Sequence, residues 1–353
     1  MTEKSAPTAL SRAEISADVL LELKDLHTHF HTDDGLVRAV NGVDLTLRRG
    51  RTLGVVGESG CGKTILSRTV MRIVPEPPAS ISGHIFWHRQ NGEIVDLATY
   101  PVKARQLREV RGKEISMIFQ EPMSSFSPIH TIGNQIAEAL LVHERVSKKE
   151  AQERTIEMIG MVGISQPDKR FHAYPFELSG GMRQRAMIAM ALVCRPTLLI
   201  ADEPTTALDV TVEAAILKLI KSLQAQLGMT VMIITHDLGV IAKMADDVAV
   251  MYLGKVVEQG PVEAIFDAPQ HPYTRALLKS MPRLSNTGSR LEAIRGNVAD
   301  PYTVLPGCAF FPRCGEGEQD RCTAAMPPLV EVGDDHLVRC VMREGVAHGR
   351  GSG

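Results

Sequence analysis

From residue 19 to residue 50 apolar and polar positions alternate, first in LLELKDLHTHF and again in AVNGVDLTLRRG, with the turn residues DDG between them. A period of two predicts antiparallel strands. The pattern then becomes the unbroken apolar run TLGVV, residues 52–56, which predicts a short buried strand. A glycine loop follows, then a helix from about residue 63 to residue 73 that ends before PEPP. From about residue 102 to residue 191 the spacing is mainly helical. Within it SKKE, residues 147–150, has capping-box spacing, and behind it Ala151, Ile156, Ile159 and Val162 fall near one helical face. Strand signal returns in TLLIAD (197–202) and TVMIITHD (230–237), on either side of the helical TVEAAILKLIKSLQAQLG. Strand, crossover helix, strand implies a parallel sheet. A hairpin, VAVMYLGKVVEQG, closes this region near Gly260.

These patterns divide the chain into a disordered lead-in (1–18), a main α/β domain (19–260) with a helical subdomain over about 120–192, an extension (261–345) and a disordered Gly/Ser tail (346–353). The boundary falls near residues 261–267, where proline and glycine punctuation begins. At 353 residues the chain can bury substantial cores, and a formal net charge of -2 gives no electrostatic reason to expect a nucleic-acid partner. The lead-in lacks the apolar core of a signal peptide. The longest apolar run, AMIAMALVC, stops at Arg195, far short of the roughly 20 residues a membrane helix needs. A cytoplasmic chain with reduced cysteines is expected.

Three segments carry chemistry. GESGCGKT places Gly57, Glu58, Ser59, Gly60, Cys61, Gly62, Lys63 and Thr64 between a strand and a helix, with Ile65 just inside the helix. Loop and helix-start N–H groups can ring a phosphate, Lys63 can reach its outer oxygens and Thr64 can ligate Mg²⁺. TLLIADEP ends a buried strand with Asp202 and Glu203. Two adjacent carboxylates there have little structural reason, since unpaired charge is costly to bury. Beside a phosphate loop, Asp202 can hold Mg²⁺ through water and Glu203 can polarise an attacking water. LSGGMRQR puts Ser179, Gly180 and Gly181 at a second helix start able to grip an anion. A glycine-rich turn, a helix cap before Pro204 and a flexible cap are the plainer readings of the three; together the segments favour a nucleotide site.

With these motifs in order, residues 19–260 resemble the ATPase subunits of ABC transporters, although Met182 stands where the family signature most often has glutamine. The resemblance implies a P-loop NTPase fold: a RecA-like core with an antiparallel β subdomain and an α-helical signature subdomain, here followed by a small cysteine-containing C-terminal extension. It also implies roles for further residues. Gln120 in MIFQEP looks like the glutamine that senses Mg²⁺ and touches the membrane subunit. Asp209 in TTALD looks like the aspartate that crosses the dimer interface, His236 in IITHD like the switch histidine at the γ-phosphate, and Phe30 like the adenine-stacking aromatic. Their plain alternatives are a capping residue, a helix N-cap, a strand-end histidine and a core residue; family order and spacing favour the functional reading for the first three. Glu203, His236 and Gln120 are thus the expected catalytic group.

The stretch HPYTRALLKSMP, residues 271–282, is similar to the extension of oligopeptide, dipeptide and nickel importer ATPases. From its residues alone it is only a helix with a proline start. Cys308, Cys314, Cys322 and Cys340 have five, seven and seventeen residues between them, which leaves Zn²⁺ and iron–sulfur both open. The resemblance implies a 4Fe-4S cluster, as in some dipeptide-importer ATPases, with Zn²⁺ as the alternative. Cys194 is read as a small buried hydrophobe. The expectation is then an ATP- and Mg²⁺-dependent ATPase on the cytoplasmic face of the membrane, energising uptake of di- or oligopeptides, or of nickel or another small solute. Its implied partners are a second ATPase in a head-to-tail dimer, two permease subunits and an extracytoplasmic binding protein. A soluble relative acting on nucleic acid or the ribosome is the rival class. Such chains typically carry two cassettes or a long coiled coil, and this one has a single phosphate loop.

Overall fold

The computed structural model describes residues 18–120, 126–205, 209–280 and 294–343. The expected tail, and the expected lead-in apart from Asp18, lie outside these residues. β1 (Val19–Thr32) and β2 (Gly35–Arg48) form the antiparallel pair that the alternation predicts, with Thr32 opposite Gly35 across the turn. β3 (Thr52–Val56) is buried at every position and leads through the glycine loop into α1 (Lys63–Val70). α1 is shorter than expected because Arg72, at φ 54°, turns the chain into the left-handed region two residues after the helix.

β4 (Ala79–His88) and β5 (Ile94–Asp96) complete a four-stranded antiparallel sheet in the order β2-β1-β4-β5. After α2 (Arg105–Val110), the expected helical region is interrupted by β6 (Ile115–Ile118), a buried strand of four residues. The helical part proper holds α3 (Ile132–His143), α4 (Lys148–Met161), α5 (Pro167–Phe171) and α6 (Gly180–Leu192). Ser147 caps α4 by accepting the Glu150 N–H at 3.1 Å, and Ala151, Ile159 and Val162 are fully buried on the expected face.

β7 (Leu198–Asp202), α7 (Val210–Leu227) and β8 (Thr230–Ile234) form the crossover unit, with β7 and β8 parallel from Leu198–Thr230 to Asp202–Ile234. After α8 (Leu238–Met244), β9 (Asp247–Tyr252) and β10 (Lys255–Pro261) make the closing hairpin. The extension contributes α9 (Val262–Asp267), α10 (Pro272–Lys279), α11 (Gln319–Cys322) and a hairpin of β11 (Val330–Gly333) and β12 (His336–Val338). β12 pairs with β10, so the second sheet has eight strands in the order β11-β12-β10-β9-β3-β8-β7-β6.

Alternate residues of the central strands feed two cores. Leu198 and Ile200 of β7 and Met232 and Ile234 of β8 pack toward the antiparallel sheet with Leu23, Leu66 and Trp87. Leu199, Ala201, Val231 and Ile233 face the other way, toward Ile188, Ile216 and Ile220 of α6 and α7. Each such buried aliphatic side chain contributes roughly 1.5–3 kcal/mol. That two-sided burial explains why these strands read as continuous apolar runs rather than alternations. It also holds the C-terminal ends of β3 and β7 side by side with β8, where the polar residues gather.

Candidate nucleotide site

α1 starts at Gly62, in the left-handed region at φ 103°, with no side-chain cap. Its first amides are therefore left for a ligand, and Lys63 is buried beside them at 6% exposure. The Lys63 Nζ donates to the carbonyls of Gly57 at 2.7 Å and Glu58 at 3.1 Å, bending the loop back over its own lysine. Cys61 is buried, and burial pushes its thiol pKa up, so it remains an inert thiol within the loop.

β7 delivers the two carboxylates to different surroundings. Asp202 is 1% exposed and accepts the Thr64 hydroxyl at 3.1 Å. Burial raises its pKa, and the hydroxyl together with Arg68 and Lys63 opposes the rise. A cation here would remove the desolvation penalty. Glu203 leaves the strand at φ 46°, a strained conformation for a residue with a side chain, and its N–H is held by the Ile234 carbonyl at 2.8 Å. That turn aims its carboxylate outward. Gln120 Nε2 donates to one oxygen at 2.8 Å, and His236 Nδ1 meets the other at 3.1 Å. The three residues expected to be catalytic are thus in direct contact.

A cavity of about 700 Å³ opens beside this group, lined by Gln120 and Glu203 but not by His236 or Asp202. Ser59, Gly60, Gly62, Lys63, Thr64 and Ile65 of the phosphate loop and α1 line it together with Gln120 and Glu203. Phe30, Val37 and Arg38 stand on the wall supplied by the antiparallel sheet. Phe30 is half-buried, as an aromatic available for stacking requires.

Two expected site elements lie apart from this cavity. Ser179 caps α6, accepting the Met182 N–H at 3.4 Å, and Gly180 has open space around it; neither they nor Gly181 line the cavity. Asp209 caps α7, accepting the N–H groups of Thr211 and Val212, each at 3.0 Å, so its helix-cap reading is realised in this chain. Residues 206–208 and 121–125, which complete the TTALD and MIFQEP motifs, lie outside the described residues.

The structure adds residues that the sequence did not single out. Gln184 of α6 is buried and donates to the Pro204 carbonyl, joining the signature helix to the turn that carries Glu203. Its signal in LSGGMRQR was slight, because α6 is buried nearly all round from residue 186 onward and has no distinct apolar face on which a polar residue would stand out. Glu58 takes its partners from the C-terminal extension, a link between residues more than 200 positions apart that no spacing pattern encodes.

Cys308, Cys314, Cys322 and Cys340 line one small cavity together with His271. Burial lifts the Cys308 thiol to about 11 and raises Cys340 as well, and the neighbouring thiols add to both shifts. Among the described residues no group of three or more His, Cys, Asp or Glu side chains stands in an arrangement that could hold a metal ion. The four thiols converge, then, without being pre-set around a single ion. Cys194 is a buried thiol within the helical core, as expected. Among the described residues no helix is long and apolar enough to cross a membrane.

A phosphate loop after a buried strand, with a strand-end Asp–Glu pair beside it and an antiparallel sheet walling the cavity, defines the ATP-binding cassette class of P-loop ATPases. A family profile described as ABC transporter matches residues 40–206, and one described as oligopeptide/dipeptide transporter, C-terminal region, matches residues 257–326. The probable peptide ABC transporter ATP-binding protein y4tR of Sinorhizobium fredii is 48% identical over 326 residues, 92% of this chain and 95% of that protein. The dipeptide transport ATP-binding protein DppD of Bacillus subtilis is 45% identical over 326 residues, with the same 92% and 95% coverage. The dimeric structure of the ABC transporter cassette MJ0796 matches with a TM-score of 0.60 over 69% of this chain and 99% of its own; at 24% identity this speaks for the fold. The structure of cbiO1 from Clostridium perfringens, part of the transporter complex cbiONQ, matches with a TM-score of 0.58 at 27% identity, over 71% of this chain and 92% of its own. The chain belongs to the ABC transporter ATP-binding family, in its oligopeptide/dipeptide importer branch, and is an ATPase whose hydrolysis is coupled to transport.

Proposed function

We propose that this ATPase energises uptake of di- or oligopeptides from the cytoplasmic face of the membrane, as one half of a head-to-tail ATPase pair bound to two permease subunits and served by an extracytoplasmic binding protein. The observation that carries the mechanism is the grip of Gln120 and His236 on the two oxygens of Glu203, next to the Thr64–Asp202 contact. Thr64, Asp202 and Gln120 would hold Mg²⁺, which would neutralise phosphate charge there. Lys63 and the α1 amides bind the phosphates, Glu203 orients and polarises the attacking water, and His236 contacts the γ-phosphate. Phe30 stacks on the base.

The open surroundings of Gly180 and the distance of Ser179–Gly181 from the cavity wall support a role in closing a partner's site rather than their own. Asp209, with its carboxylate on the exposed α7 cap, lies at that interface. In this reading residues 19–260 form the cassette, about 120–192 its helical part, which relays closure to the permease, and 261–345 the importer-type extension.

For the extension we propose a 4Fe-4S cluster on Cys308, Cys314, Cys322 and Cys340, with Zn²⁺ as the alternative. The donor chemistry fits, since four thiols and no carboxylate line the cavity. Such a cluster would be held by these four thiols and would cross-link the segments that carry them. Iron and sulfide analysis of anaerobically purified protein, with visible absorption, tests it; stoichiometric zinc in colourless protein selects the alternative.

Glu203→Gln tests the catalytic reading. The variant keeps both side-chain contacts sterically but cannot accept a proton, so ATP binding is retained, hydrolysis falls by about 10²-fold or more, and an ATP-bound dimer accumulates on size-exclusion chromatography. Hydrolysis at the parent rate removes Glu203 from its role.

A further inference from the structure

Glu58 is the second residue of the phosphate loop, and two parts of the extension hold it. Its N–H donates to the Tyr273 hydroxyl of α10 at 2.9 Å. Its carboxylate accepts both terminal nitrogens of Arg313, at 2.7 and 3.0 Å, in the two-pronged geometry that makes such pairs strong and directional. The Arg313 side chain is only 4% exposed, and Glu58 raises its pKa further above the ordinary arginine value. Tyr252 and Phe310 flank it, each ring centre 5.8 Å from the guanidinium carbon, and the Tyr252 hydroxyl accepts a further hydrogen bond at 3.3 Å. A buried guanidinium fixed on so many sides is a rigid anchor, not a surface ion pair.

The anchor reaches the nucleotide side of the loop directly. The Glu58 carbonyl accepts from Lys63 Nζ at 3.1 Å, so the order of contacts is Arg313, Glu58, Lys63. The extension also supplies cavity wall, with Asp300, Thr303, Leu305 and Ala309 facing the same space as Lys63 and Phe30. Arg313 immediately precedes Cys314 in the chain, so one short segment serves both the cysteine cavity and the phosphate loop.

We propose that Arg313 and Tyr273 are positioning residues of the nucleotide site: by fixing Glu58 they set the conformation of the phosphate loop, and the extension thereby sets ATP affinity in cis. This rests on the nucleotide-site reading above.

The test measures Mg-ATP affinity by titration calorimetry, and steady-state hydrolysis, on the full chain. The variants are Arg313→Met, Tyr273→Phe, Glu58→Gln and the Arg313→Met/Glu58→Gln pair, with unfolding curves for each. Arg313→Met is expected to weaken binding and raise KM for ATP roughly tenfold, equivalent to about 1.4 kcal/mol, with kcat at saturating ATP within about twofold of the parent. The double variant is no weaker than the worse single one, since both remove one contact. Tyr273→Phe gives a smaller loss in the same direction. Unchanged affinity in folded Arg313→Met, additive losses in the double variant, or equal falls in kcat and kcat/KM overturn the proposal. If Arg313→Met does not fold, Glu58→Gln alone decides, and parent-like affinity in it overturns the proposal. A parent chain that binds no Mg-ATP, or a Lys63→Ala variant that binds as the parent does, overturns the site reading instead.

Discussion

Gly62 lies so close to Ala39 that a β-carbon on the glycine would stand 2.0 Å from the Ala39 carbonyl oxygen. The neighbouring sheet is thus pressed against the phosphate loop where α1 begins. Gly62 also holds φ 103°, a conformation that residues with side chains adopt only under strain.

Gly62→Ala should therefore damage the loop twice, by the clash and by the backbone. Together these cost about 1–3 kcal/mol and separate the loop from β2. Mg-ATP affinity is expected to fall by roughly tenfold or more in titration calorimetry. An alanine variant that binds as the parent does would show that the loop reshapes freely.

Asp202 predicts a trade between stability and function. Burial raises its pKa, so the folded chain disfavours its charged form, and at neutral pH that charge destabilises the fold. Asp202→Asn keeps an acceptor for Thr64 and removes the charge. The nucleotide-free variant should unfold about 2 °C higher than the parent in a thermal melt, while the extra stabilisation by Mg-ATP over ATP with chelator disappears. A lower midpoint without nucleotide would contradict the sign of this argument.

His271 makes stability depend on pH in a defined window. It is 1% exposed, its Nδ1 accepts the Tyr273 N–H at 3.0 Å, and burial lowers its pKa to about 4; Arg275 and Arg343 act in the same direction and Glu258 opposes them. The unfolded chain, near the ordinary 6.5, binds the proton more tightly. The neutral ring's stability is thus fully present above about 6.5, is lost as pH falls toward about 4, and has no further slope below that. The largest loss is about 3 kcal/mol. Urea unfolding of parent and His271→Asn, which keeps a cap acceptor, should diverge across this window. A constant difference between the two curves would remove His271 as the cause.

The sheet was legible where both faces are buried. β3, β7 and β8 are buried at every position and read as near-continuous apolar runs, broken chiefly at their ends by Thr52, Asp202 and Thr230. β6 was hidden because Ile115–Ile118 is too short to register against the helices around it, and β4 because its exposed Ser82 and half-exposed Gly83 and His84 break the alternation. Glu203 was legible as a candidate because it follows the strong apolar run of β7, whereas His236 and Gln120 became candidates only through the resemblance to ABC transporter ATPase subunits. Glu58 with Arg313 was not, since a contact across 255 positions is made by folding and by nothing local. Asp209 shows the opposite case: its N-cap hydrogen bonds were written in the sequence of α7 all along.

β12 lies along β10, pairing Leu337 with Gln259 and Val338 with Glu258. Glu258 is fully buried and accepts from the N–H groups of Gln270 and His271 and from His336 Nε2, at 2.5, 2.9 and 2.8 Å. A cassette trimmed at residue 260 would keep that carboxylate, lose these three donors and present a bare strand to other copies of itself. For this chain, cutting the gene at the end of the recognisable ATPase yields an aggregation-prone fragment, so minimal versions, fusions and tags belong at the far side of β12.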